Sequence, residues 1–152
     1  MTILEKLTSD LTVSMKARDA FRTNTIRQMI AALRTAEKAG KTAHELSDAE
    51  AETVLTGEVK KRRESAQIYT EAGADERAAT ETAEAELIES YLPAALTDAE
   101  VDELVAEAIV STGATTPKEM GQVMKAANAA AAGRGRVDGK VLSQKVRAAL
   151  QG

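Results

Sequence analysis

No cysteine and no tryptophan occur in the 152 residues, and histidine appears once, as His44. A chain without thiols forms no disulfide and no thiolate metal centre, and a single imidazole builds no histidine cluster. Only three aromatic rings are present: Phe21, Tyr69 and Tyr91. Binders of single-stranded nucleic acid stack bases on several such rings at about 1–3 kcal/mol each, so that mode is set aside. An RNA partner would have to be folded and read through its backbone and shape. No charged head followed by an apolar run stands at the N-terminus, and no apolar stretch of about 18 residues occurs anywhere. The expectation is a cytoplasmic protein with no membrane partner.

What the chain does have is alanine, thirty of them, in a sequence that is 43% hydrophobic. With so few large side chains, helices packed closely across small faces are expected rather than one thick core. The net charge of −4 hides an asymmetry. Residues 1–42 hold eight Lys/Arg against four Asp/Glu, residues 43–112 five against eighteen, and residues 113–152 seven against two. Two basic ends flanking an acidic middle direct the search for an anionic partner to the ends.

Apolar residues recur at helical spacing throughout, and no segment alternates with period two, so the fold class is all-α with no sheet. Thr2 with Glu5, Ser47 with Glu50 and Thr97 with Glu100 form capping boxes that open helices one, three and five. Asp19 caps helix two, whose apolar side reads Phe21, Ile26, Met29, Ile30 and Leu33, with Gly40 as its stop. Helix one carries Ile3, Leu4, Leu7, Leu11 and Met15, and helix three carries Val54, Leu55, Val59, Ala66 and Tyr69 and ends near Gly73. Helix four runs from about Asp75 to Leu92, where Pro93 closes it. Helix five carries Val101, Leu104, Val105, Ala108 and Ile109 up to Gly113. Thr116, Pro117 and Glu119 mark the start of helix six, with Met120, Val123, Met124 and Ala127 inward, and Asp138 caps helix seven, with Leu142, Val146, Ala149 and Leu150 inward. The boundary falls at about 93–97, giving an N-terminal four-helix part, residues 1–94, and a C-terminal three-helix part, residues 95–152.

The turn Gly133-Arg-Gly-Arg-Val-Asp-Gly-Lys140 invites a nucleotide reading and fails it. In a phosphate-binding loop the first glycine would fall at Arg134, and Val141 stands where Ser or Thr should follow the lysine. The dinucleotide fingerprint fails at Asp138, where its third glycine belongs. What remains is a helix N-terminus beside Arg134, Arg136 and Lys140, suited to one or two phosphates of a larger molecule. A solvated turn whose glycines only supply left-handed backbone explains the same residues.

His44 sits in a polar loop with no nucleophile nearby and reads as a surface histidine. The carboxylates between Asp75 and Glu107 read as solvated helix faces rather than an acid–base pair. The run Lys60, Lys61, Arg62, Arg63 covers a full helical turn, so at least one of its cations must lie against the bundle or pair with a neighbour such as Glu58 or Glu64. Tyr69 and Tyr91 read as core rings with exposed hydroxyls, and Met15, Met29, Met120 and Met124 as core fillers.

Gly121-Gln-Val-Met-Lys125, then Gly133 to Lys140, then Val141, Val146 and Leu150 resemble the YqeY family, which shares its name with the tail domain of the B subunit of the glutamine-dependent Asp-tRNA/Glu-tRNA amidotransferase. Thr25-Ile-Arg27, Glu58 to Ala66 and Glu89-Ser-Tyr-Leu-Pro93 extend the resemblance over nearly the whole chain. One departure is Gly133 to Val137, where the family more often has Gly, Arg, Ala, and the extra residues lengthen the turn. The resemblance implies the same four-plus-three helical organisation. It also implies an accessory or stand-alone module for tRNA or another structured RNA, linked to glutamine-dependent carbon–nitrogen ligation by association only. The residues assigned to RNA contact are Lys125, Arg134, Arg136, Lys140 and Lys145; no catalytic residue, metal or cofactor is assigned. The alternative is a helical module docking an amidotransferase or synthetase protein.

Overall fold

The computed structural model describes residues 1–132 and 134–151, and among them the chain is all-helical, as expected. Seven α-helices occur among these residues: α1 (Ile3–Lys16), α2 (Ala20–Glu37), α3 (Asp48–Glu71), α4 (Asp75–Glu89), α5 (Asp98–Thr112), α6 (Met120–Ala131) and α7 (Gly139–Gln151). A single 3₁₀ turn, Pro117–Glu119, leads into α6. The chain forms two compact units, Met1–Leu92 and Pro93–Gly152.

Local chemistry sets most helix starts. All three capping boxes form: Thr2, Ser47 and Thr97 each accept the amide three residues on, and Glu5, Glu50 and Glu100 each take the cap residue's own amide in return. These amides hold the Glu50 and Glu100 carboxyls below the ordinary glutamate value. Asp19 accepts the Arg22 amide at 3.0 Å. Thr116 behaves differently from expectation: its hydroxyl donates to the Glu119 carboxylate at 3.2 Å rather than capping a backbone amide, and the chain there is 3₁₀ before it becomes α-helical.

In the first unit, α1 packs on α2 and α3 on α4 around Leu7, Ile26, Met29, Leu33, Leu55 and Ile88. Two expected core residues point outward. Met15 is 50% exposed and Phe21 41%. Met15 lies about 80° around α1 from Leu7, whereas Ser14 lies only about 20° from it. Ser14 therefore takes the inward position, buried and hydrogen-bonded at 3.0 Å to the Thr23 hydroxyl of α2. Phe21 stands about 140° around α2 from Ile26, off the stripe that Ile26, Met29 and Leu33 define. α4 ends at Glu89, so Tyr91 and Leu92 follow it in a turn. The Tyr91 hydroxyl, expected to be exposed, is part-buried: it donates to Asp10 and accepts from Arg22 at 3.5 Å, with the Lys6 ammonium 5.2 Å from the ring centre. Burial and then the Asp10 bond push this phenol up to about 12.

The second unit is built on Val101, Val105, Ala108, Val123, Ala127, Leu142 and Val146. α5 closes at Gly113, whose φ of 68° is the left-handed conformation that a glycine takes without strain. Ala149, expected inward, is exposed on α7. No helix among the described residues is long and apolar enough to cross a membrane.

Candidate functional site

The basic turn before α7 is stapled to the start of its own unit. The Arg136 amide donates to the Ala94 carbonyl at 3.1 Å and the Leu96 amide to the Arg136 carbonyl at 2.8 Å, an isolated parallel bridge between Ala95 and Arg136. The Arg136 Nε adds a bond to the Pro93 carbonyl at 2.8 Å. Gly135 makes this approach possible. A Cβ there would stand 2.8 Å from the Ala94 oxygen and 3.0 Å from Leu96 Cδ2, and its φ of 157° is one that other residues avoid. Gly135 is therefore a packing requirement of the turn; Gly133 lies outside the described residues.

Asp138 sets the start of α7. One carboxylate oxygen accepts the amides of Lys140 at 2.8 Å and Val141 at 3.3 Å. The amides that the sequence offers to a phosphate are thus already capped by the chain's own anion. An anionic ligand at this end would meet side chains rather than a bare helix terminus.

The five assigned cations do not share one environment. Arg134 pairs with Glu107 of α5 at 3.3 Å, both side chains about half exposed. Lys145 reaches the other way along α5, 2.8 Å from Asp102 and 4.0 Å from Asp98. The Asp102 bond raises its pKa above the ordinary lysine value. Lys140 and Lys145 are five residues apart, about 140° around the helix, so they face different directions. Lys125 on α6 and Lys140 are exposed, and neither makes an ion pair or side-chain hydrogen bond with the described residues.

Arg147, absent from the assignment, belongs with Lys140. Lys140, Gln144 and Arg147 follow at i, i+4 and i+7, one face of α7, and all three are exposed. On α6, Gln122, Lys125 and Asn128 are exposed at three-residue spacing. Helical periodicity alone was enough to find both stripes. The counter-ions Glu107 and Asp102 were not so accessible, lying 27 and 43 residues away from their partners.

Charge is sorted by helix in this unit. α5 carries five acidic residues and no basic one, whereas Met120 to Gln151 hold six Lys/Arg with Asp138 as the single carboxylate. Overall Pro93–Gly152 balances at seven against seven.

A family model described as Yqey-like protein matches residues 4–150. The chain belongs to the YqeY family. The match runs through both compact units, and its span takes in the α3 basic run, the Tyr91-Leu-Pro93 junction and the stapled turn. A search of curated proteins finds no match to this chain.

Proposed function

We propose that this YqeY-family chain is an accessory binding module for structured RNA, tRNA foremost, which grips phosphates from the α6–turn–α7 side of its second unit. The observation that supports this most is the sorting of charge: the exposed stripes of α6 and α7 present Lys125, Lys140 and Arg147 among amide side chains, while five of the unit's seven carboxylates lie on α5, Asp138 is engaged as the α7 cap and Glu119 is bonded to Thr116. Cations and amides without intervening acids suit phosphate oxygens and ribose hydroxyls. Arg134 joins by exchanging its α5 partner for phosphate, since exposed ion pairs hold by only about 0–1 kcal/mol, whereas Lys145, held between Asp102 and Asp98, stays with α5. Arg136 contributes by fixing the turn to Pro93 and Ala94. The resemblance to the amidotransferase tail domain points to the same ligand, and the role is one of holding RNA for chemistry performed by other proteins.

Fluorescence-anisotropy titration of labelled tRNA over a range of salt tests this. Three to four phosphate contacts give a log–log slope of about −3, at roughly −0.9 per phosphate. Replacing Lys125→Glu and Lys140→Glu together, at exposed positions whose side chains hold no partner among the described residues, should weaken binding on the order of tenfold and flatten the slope by about two. Unchanged affinity and slope in the double variant would remove the assignment.

A further inference from the structure

The α5 side of the second unit has a shape and charge that the RNA reading does not use. Between α5 and α7 lies a groove of about 410 Å³ lined by Asp102, Val105, Ala106, Ile109, Val110 and Ala149, with Lys145 at its edge. Its floor is the buried Val105 and the partly buried Ile109. Val110 stands 83% exposed at one end, an aliphatic side chain that nothing in the unit covers. Ala106 and Ala149 form low walls, which let another helix backbone come close. From Asp102 to Val110 the groove runs about 12 Å, two helical turns, the reach of apolar anchors at i, i+3 and i+7 of a docked helix.

Charge selects the occupant. Among the described residues, the only cation lining the groove, Lys145, is held between Asp102 and Asp98, so that end keeps a net negative charge. Glu103 precedes Ala106 by three positions and Val110 by seven, which puts it on the same outward face of α5. Five acids and no base on this helix repel phosphate and attract lysine and arginine. Among the described residues, α6 and α7 expose no large apolar side chain, and the exposed Val13, Met15, Phe21 and Ile68 are scattered over α1, α2 and α3 rather than set at i, i+3 and i+7 of one helix, so no helix of the chain presents such a ligand to a second copy. We infer that the α5–α7 groove docks an amphipathic helix of another protein, with aliphatic residues on its inner face and lysine or arginine on its flanks. In this arrangement the second unit holds RNA on one side and a basic protein helix on the other.

The test is an NMR titration of the ¹⁵N-labelled full chain with two synthetic helical peptides. Both carry leucines at i, i+3 and i+7; one is flanked by lysines and the other by glutamates. The lysine peptide should shift the amides of Val105, Ala106, Ile109, Val110 and Ala149 and bind roughly tenfold tighter or more than the glutamate peptide. Val110→Lys, at an exposed site, should cost about tenfold in affinity for the lysine peptide and leave the melting temperature and tRNA binding unchanged. Equal affinities for the two peptides, shifts centred elsewhere, or an indifferent Val110→Lys would overturn the inference. So would self-association abolished by Val110→Lys, which assigns the groove to a second copy, or perturbation of the same amides by tRNA. Because the tRNA titration is read separately, loss of RNA binding leaves this result standing and the converse also holds.

Discussion

The basic run of α3 and the basic segment around the start of α7 carry the same kind of charge in the sequence, yet the fold uses them in opposite ways. Arg62 turns into the first unit, with its side chain 12% exposed. Its guanidinium donates to Glu58 at 2.9 Å, to Glu84 at 3.1 Å and to Gln28, so that one cation joins α2, α3 and α4. Arg63 bonds Glu89 at the end of α4, and Lys61 approaches Glu58 at 3.8 Å. Around α7, Lys140 and Arg147 stay in solvent on a face without carboxylates, and Arg134 and Lys145 pair only at the surface. A count of lysines and arginines therefore does not locate a binding surface. The positions of the carboxylates separate the two segments, because a cation with two acids against it has little left to offer a phosphate.

The largest effect that sharpens this contrast is expected at Arg62. Arg62→Met leaves Glu84 without its partner and Glu58 with only the exposed Lys61 at 3.8 Å, each carboxylate less than a fifth exposed. A loss of about 3 kcal/mol in urea unfolding is expected, whereas a merely solvated arginine would give a change within about 0.5 kcal/mol.

Next comes Gly135, on which the second unit's turn depends. Gly135→Ala forces a Cβ against the Ala94 carbonyl and should cost roughly 1–3 kcal/mol, with loss of amide protection at Leu96 and Arg136 in hydrogen exchange. Retained protection at those amides would show that the staple tolerates a side chain.

The smallest is at Tyr91. Tyr91→Phe removes the bond to Asp10 and should cost about 1 kcal/mol at neutral pH. The alkaline limb has a definite sign. The unfolded phenol loses its proton near 10.0 and the folded one near about 12, so the stability tied to this group is full below 10 and is lost as pH rises through that window. In the phenylalanine variant that part of the decline should vanish from pH-dependent melting curves.

Much of this architecture was readable from short-range pattern. Capping boxes at Thr2, Ser47 and Thr97 are local reciprocal bonds three residues apart, and stripes such as Leu104, Val105 and Ala108 need only the helical period. Met15 and Phe21 were misplaced because both are apolar, and a small hydroxyl pair, Ser14 with Thr23, filled the inward position near Met15 instead. The bonds of Tyr91 to Asp10 and of Arg62 to Glu84 cross 81 and 22 residues, and no local rule announces them. At the candidate site, the cap by Asp138 was visible from its place before α7. Its consequence, that the cap occupies the amides offered to a phosphate, emerged only with the bonds to Lys140 and Val141. The staple of Arg136 to residues 93–96 likewise depends on chain segments brought together from about forty residues apart.

Under the proposed function, position, and not the number of basic residues, makes α6–turn–α7 the RNA-facing side. Side-by-side tRNA titrations of Lys125→Glu/Lys140→Glu and of Lys60→Glu/Lys61→Glu, which introduce the same change of charge in the two units, test it most directly. A loss on the order of tenfold is expected for the first pair and less than about twofold for the second, with both proteins folded by circular dichroism. Equal losses in the two variants would contradict it and reduce the attraction to a long-range effect of net charge.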